Sequence, residues 1–197
     1  MLGRIASRLR GHRRNDEGSV VIEAVFVLPL LFFAVLGTWV FFQAFRAQSI
    51  NVKAAYTVSD TLSRRGGEYV TSEYMDSIWN LHRFVTESNH DTDLRVSLIA
   101  WDPDDEEYFV CWSEARGGQS ALTNGGLDSY VAADRIPGLP AGEALIMVET
   151  RVAHEPIFSA GGDLAMWFED MIVTSPRFSA QLKWSSNGSD DGAVSCF

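Results

Sequence analysis

The chain has 197 residues, 46% of them hydrophobic, and a formal net charge of −10. That length accommodates one membrane segment and one modest folded domain. The acidic balance argues against nucleic acid as a partner, because phosphate binding needs clusters of Lys and Arg.

The charge is unevenly placed. Arg4, Arg8, Arg10, Arg13 and Arg14 lie at the N-terminus, followed by Asp16 and Glu17. From Ala24 to Phe42 no residue is charged, and Gln43, Ala44 and Phe45 extend the run to Arg46. A helix through the uncharged stretch rises about 28 Å, close to the hydrocarbon thickness of a bilayer. One transmembrane helix is therefore expected. A buried core helix would carry a polar face, which this run lacks. A cleaved secretory signal would have a shorter apolar run ending at a small-x-small site, and none follows Phe45. The arginine flank keeps the N-terminus in the cytoplasm, so the acidic remainder is exported.

Within this helix three residues stand at fixed offsets: Gly18, then Glu23, then Pro29. A carboxylate at the start of a membrane helix is costly unless it finds a partner or stays at the interface. Pro29 removes one backbone donor and favours a kink. The small residues Ala34, Gly37 and Thr38 leave room for a neighbouring helix. Gly18, Glu23 and the apolar helix behind a basic leader resemble the N-terminus of type IV prepilins. The wider stretch from Glu17 to Leu31, with Glu23 and Pro29 in place, is similar to the TadE-like pseudopilins of tight-adherence (Flp) pilus systems. The resemblance implies cleavage between Gly18 and Ser19 by a prepilin peptidase, and an assembly role for Glu23. It implies as partners the lipid bilayer, other pilus or pseudopilin subunits, inner-membrane secretion machinery and the peptidase itself. Ser175-Pro176-Arg177-Phe178 also resembles an element that such proteins place before a final strand.

Beyond the membrane the helical pattern continues. Ile50, Ala54, Val58 and Leu62 recur every four residues, and Arg64, Arg65, Gly66 and Gly67 mark the stop. A helix from Ser19 to Arg65 would be roughly 70 Å long. A second helix is expected over 71–87 on the stripe Tyr74, Ile78, Leu81 and Val85. His82 and His90 read as solvated, being at no ligand spacing with a Cys or acid. Leu94, Val96, Leu98 and Ala100 then alternate as a strand, and 108–112 form the next. The acids between them, from Asp102 to Glu107, lack the glycine and closing glutamate of a calcium loop, so they read as an exposed turn. Residues 116–142 are loop-rich, with a short helix near 127–133. A strand is expected at 145–152, an apolar helical patch within 157–173, a last strand at 178–184, and a loose polar tail from Ser185. Glu149, Glu155 and Asp163 read as solvated surface.

Cys111 and Cys196 are the only cysteines. In an oxidising compartment two cysteines of an exported domain tend to pair, so Cys111 and Cys196 are expected to be joined within one chain; the alternatives are a mobile terminal thiol and pairing between chains. No nucleophile elbow, phosphate loop or His/Cys metal set is present in the sequence, so neither catalysis nor a cofactor is expected. The expected fold is α+β: a single N-terminal transmembrane helix extending into a long pilin-like helix, packed on a small, mainly antiparallel sheet domain. Its divisions are a basic cytoplasmic leader (1–18), a transmembrane and stalk helix (19–65) and a periplasmic α+β domain (66–197). The expected function is that of a minor pseudopilin or pilus-assembly protein in a bacterial inner membrane. The alternatives are a membrane-anchored periplasmic binding or adhesion domain unrelated to pili, and an anchored enzyme.

Overall fold

The computed structural model describes residues 17–87, 91–156 and 166–197. The elements are helix α1 (Glu17–Ser63), helix α2 (Ser72–Thr86), strands β1 (Thr92–Asp102) and β2 (Glu107–Arg116), helix α3 (Asn124–Ala132), and strands β3 (Ala144–His154) and β4 (Met166–Thr174). The chain divides into two compact units between Gln43 and Ala44.

The first unit is helical throughout its described part. Most of its large apolar side chains from Val20 to Phe42 are exposed, Leu36 and Val40 being half-buried, and none of the most apolar window is buried. The mean hydropathy of that window is 2.6, long and apolar enough to cross a membrane. A buried core helix would have hidden these side chains, so that reading is excluded for this stretch. Pro29 lies inside α1, and the helix runs on through it.

The second unit begins with the rest of α1. Its sheet is antiparallel throughout, in the order β2-β1-β3-β4. Successive strand residues point to opposite faces, so each face needs its own cover. On one face Leu94, Val96, Leu98, Ile146 and Val148 join Val58 and Leu62 of α1, Met75 and Ile78 of α2, and Leu182 in the larger core. The other face is covered by less. Ile99, Leu145 and Met147 pack with Leu122, Leu127 and Ile136 from α3 and its flanking loops. The fold is thus α+β, with the distal part of α1 serving as a core helix.

Local chemistry sets the element ends. Thr71 caps α2, its hydroxyl accepting from the Tyr74 N–H, and Thr123 caps α3 the same way through Gly126. Helix α2 ends at Glu87, held in the left-handed region at φ 50°. In the β1–β2 turn the Asp102 carboxylate accepts from the Asp104 N–H at 2.9 Å, forming an Asx turn.

The register between β1 and β2 slips by one residue: Leu98 faces Trp112, but Ile99 faces Val110. Cys111 is the extra residue of this bulge. The bulge breaks the alternation, so that Cys111 and Trp112 both pack against the larger core, where Cys196 also lies. The two cysteines are bonded, as expected for pairing within one chain.

Three expectations are corrected. The apolar residues Met166, Trp167 and Phe168 form the start of strand β4, not a helix, because β3 offers a free edge that pairs from Ile146 to His154; residues 157–165 lie outside the described set. The segment 178–184 is not a strand. Only Trp184 bridges, to Val70 and Val194. Its alternation arises because Leu182 is buried in the core and its carbonyl accepts from the Trp112 indole N–H at 2.7 Å. The tail is not loose: the Cys196 N–H donates to Gln181 Oε1 at 2.6 Å, and Ser185 is buried and bonded to Asn187.

Candidate functional site

The residues singled out from the sequence fall in two places. Gly18 and Ser19 lie in the first turn of α1, where backbone N–H groups have no intrahelical acceptor and the helix is most easily opened. Glu23 follows one turn later. It is exposed, and it makes no ion pair or hydrogen bond with any described residue. Large apolar side chains surround it: Val20, Val21, Ile22, Val25 and Phe26 are all exposed. A carboxylate in such a setting is unsatisfied unless water, lipid or another chain supplies the partner. Further along, a Cβ added at Gly37 would meet nothing within 4 Å, and the Thr38 hydroxyl is tied back to the Ala34 carbonyl at 2.8 Å. The unpartnered carboxylate and the bare small-residue patch sit on one helix. The disulfide, by contrast, belongs to the folded unit and ties β2 to the C-terminus.

The folded unit holds two polar clusters that the sequence did not single out. In the first, His82 is not solvated but fully buried. Its Nε2 lies 3.1 Å from Asn51 Oδ1, while Asn51 Nδ2 donates to Asp170 Oδ2 at 2.6 Å. Because the amide nitrogen is committed to Asp170, the imidazole must be the donor to Oδ1. The Nε2–H tautomer follows, leaving Nδ1 without a partner among the described residues. Burial lowers the His82 pKa from 6.5 to about 4. Burial also raises the Asp170 carboxyl, opposed by the hydrogen bond from Asn51. The cluster joins α1, α2 and β4. His90 lies outside the described residues.

This burial has a pH consequence. Between pH 6.5 and about 4 the unfolded chain binds a proton that folded His82 refuses. Stability is therefore full above the unfolded pKa and falls as the pH drops through this window, by on the order of 3 kcal/mol. Urea midpoints of the detergent-solubilised chain at pH 7.5 and 4.5 should differ accordingly, and His82→Gln should remove most of that part of the difference.

In the second cluster Glu149 is buried rather than solvated. It stands opposite Arg95 in the β1–β3 register, and Arg95 Nε and Nη2 donate to its two oxygens at 2.6 and 2.7 Å. The Tyr130 hydroxyl donates to Glu149 Oε1 at 2.6 Å. Burial and this bond to Glu149 raise the Tyr130 pKa. Both Glu149 oxygens are matched by these three donors, so the cluster has the character of a structural pair that fastens α3 to the sheet. Among the described residues no group of three His, Cys, Asp or Glu side chains could hold a metal ion.

The chain thus combines an α+β unit with one helix long and apolar enough to cross a membrane, with the Gly18–Glu23 motif at its start. Residues 18–60 match the sequence profile of the family described as TadE-like protein. The matched segment begins at Gly18 and contains Glu23 and Pro29, so it is the segment whose motif carries the resemblance to tight-adherence pilus proteins. No curated protein and no solved structure matches the chain.

Proposed function

We propose that this protein is a minor pseudopilin or assembly subunit of a tight-adherence (Flp) type pilus system. In this reading α1 spans the bacterial inner membrane, with the arginine-rich leader in the cytoplasm and the domain beyond Arg65 in the periplasm. The protein acts by anchoring and association, not by catalysis. A prepilin peptidase cuts between Gly18 and Ser19, removing the leader arginines and creating a cationic amine at Ser19. That amine lies one helical turn from Glu23 of its own chain. It pairs with Glu23 of a neighbouring subunit and sets the register between them, while Pro29 loosens the helix one and a half turns on. The patch around Gly37 lets the two helices approach.

The observation that carries the reading is Glu23: an exposed carboxylate with no described partner, at the start of an apolar helix that matches the TadE-like profile. Glu23→Gln keeps size and removes charge. The variant should still fractionate with membranes but should lose chemical crosslinking to itself or to co-expressed pilus subunits. Unchanged crosslinking would remove Glu23 from assembly.

A further inference from the structure

We infer that a cleft in the folded unit is a binding site for a neutral saccharide. The cleft lies at the end of the sheet where β1 and β4 begin and β2 and β3 finish. All of its lining belongs to the second unit, so the site stands apart from the reading of α1 as a membrane span. Its volume is about 640 Å³, within the range of small-ligand pockets. Helix α2 contributes Trp79 and Arg83, β3 contributes Arg151, and β4 contributes Trp167.

Three features of the lining select the ligand. The first is aromatic. The guanidinium of Arg83 lies 5.2 Å from the Trp79 ring centre, and that of Arg151 lies 4.8 Å from the Trp167 ring centre. The Trp79 indole N–H donates to the Thr92 carbonyl at 3.1 Å, which orients that ring before any ligand arrives. Trp167 is 43% exposed. Indoles in such a cleft offer flat apolar surface to the C–H face of a sugar ring. The second feature is charge balance. Arg83 and Arg151 stand against Asp91 and Asp93, so the lining has no net formal charge. The carboxylates oppose an anion and the guanidiniums oppose a cation, so neither is favoured. The third feature is mixed hydrogen bonding. Arg83 is exposed and pairs with no carboxylate among the described residues, so its donors are available. The Asp93 side chain is only 6% exposed. It accepts from the Gly118 N–H at 2.6 Å and faces Arg151 Nη1 at 3.6 Å. Among the described residues these contacts fill two of the roughly four acceptor positions of a carboxylate. The buried Thr92 hydroxyl has no partner among the described residues either. A sugar hydroxyl both donates and accepts, so a saccharide meets both kinds of group at once. Gly117, at φ 87°, lets the chain pass close to Asp93: an added Cβ would collide with the Asp93 carboxylate and the Thr92 carbonyl.

The test uses the full chain in an amine-oxide detergent, whose headgroup contains neither sugar nor phosphate. The probes are maltotetraose, cellotetraose and N-acetylchitotetraose, with inorganic phosphate as an anionic competitor. Saturation-transfer NMR should show transfer to the ring C–H protons of at least one oligosaccharide, and tryptophan fluorescence should titrate with it. Trp167→Ala and Arg83→Ala should each weaken that binding by about tenfold. Both side chains are exposed, so urea midpoints should not move. Trp101→Ala, at the far end of β1, should leave binding unchanged. Transfer to none of the oligosaccharides would overturn the inference. So would binding that survives both substitutions in the cleft. Displacement of the sugar by phosphate would also overturn it and make the cleft an anion site.

Discussion

Replacing both Cys111 and Cys196 with serine is expected to lower the free energy of unfolding by about 4–5 kcal/mol. The bond closes a loop with a sequence separation of 85. In the chain-entropy view the cost of opening it lies in the unfolded chain, which regains the freedom that the crosslink removed. The loop encloses β3, β4 and α3, so every strand after β2 is inside it. Domains of this size are stable by only about 5–15 kcal/mol, so the loss is a large fraction of the whole. Urea unfolding of the detergent-solubilised chain, oxidised against doubly substituted, measures it. The larger part of the effect should also appear on adding a reductant to the native chain. A shift below about 1 kcal/mol would mean that the tail is held by its hydrogen bonds and by packing around Leu182 and Trp184 instead.

Arg95→Ala is expected to cost about 3–5 kcal/mol, because it leaves the buried Glu149 carboxylate without its cation. The Arg95 and Glu149 side chains are only 13% and 8% exposed. The double replacement Arg95→Met with Glu149→Leu should recover most of the loss, since two apolar groups leave no charge stranded. The comparison separates the worth of the pair from the penalty of breaking it. Equal destabilisation by the single and double replacements would assign the effect to packing around Tyr130 rather than to charge.

The elements legible in the sequence were those with one apolar stripe and a clear stop. Helix α1 ends at Ser63, just before the predicted Arg65, and α2 matches its predicted span within a residue at each end. Strands β1, β2 and β3 all appear, each longer than read. The likeness of 18–60 to the TadE-like profile was also legible, because Gly18, Glu23 and Pro29 are local in sequence and need no fold to be recognised. Polar burial was not legible. Arg95 alternates with apolar neighbours and so reads as solvent-facing, yet the second sheet face is covered by α3 and its loops. Ile99 on that same face was the available sign. His82 falls beside the apolar stripe of α2, and only its contact with Asn51, 31 residues earlier, makes it a core residue. Strand β4 was hidden because its first residues, Met166 to Phe168, are consecutive and apolar. Such a run does not distinguish strand from helix until a partner edge is known. Segment 178–184 erred in the other direction: period-two burial was real, but no strand edge was free beside it.

The central claim is that Gly18 and Glu23 are the processing and assembly marks of a prepilin-type helix. Intact mass and N-terminal sequencing decide it most directly, on protein purified from membranes of a host that carries a prepilin peptidase. The account predicts a mature chain beginning at Ser19, with Gly18→Ala leaving the full-length form. Protein that still begins at Met1 in that host would contradict it and would leave an uncut membrane anchor in its place.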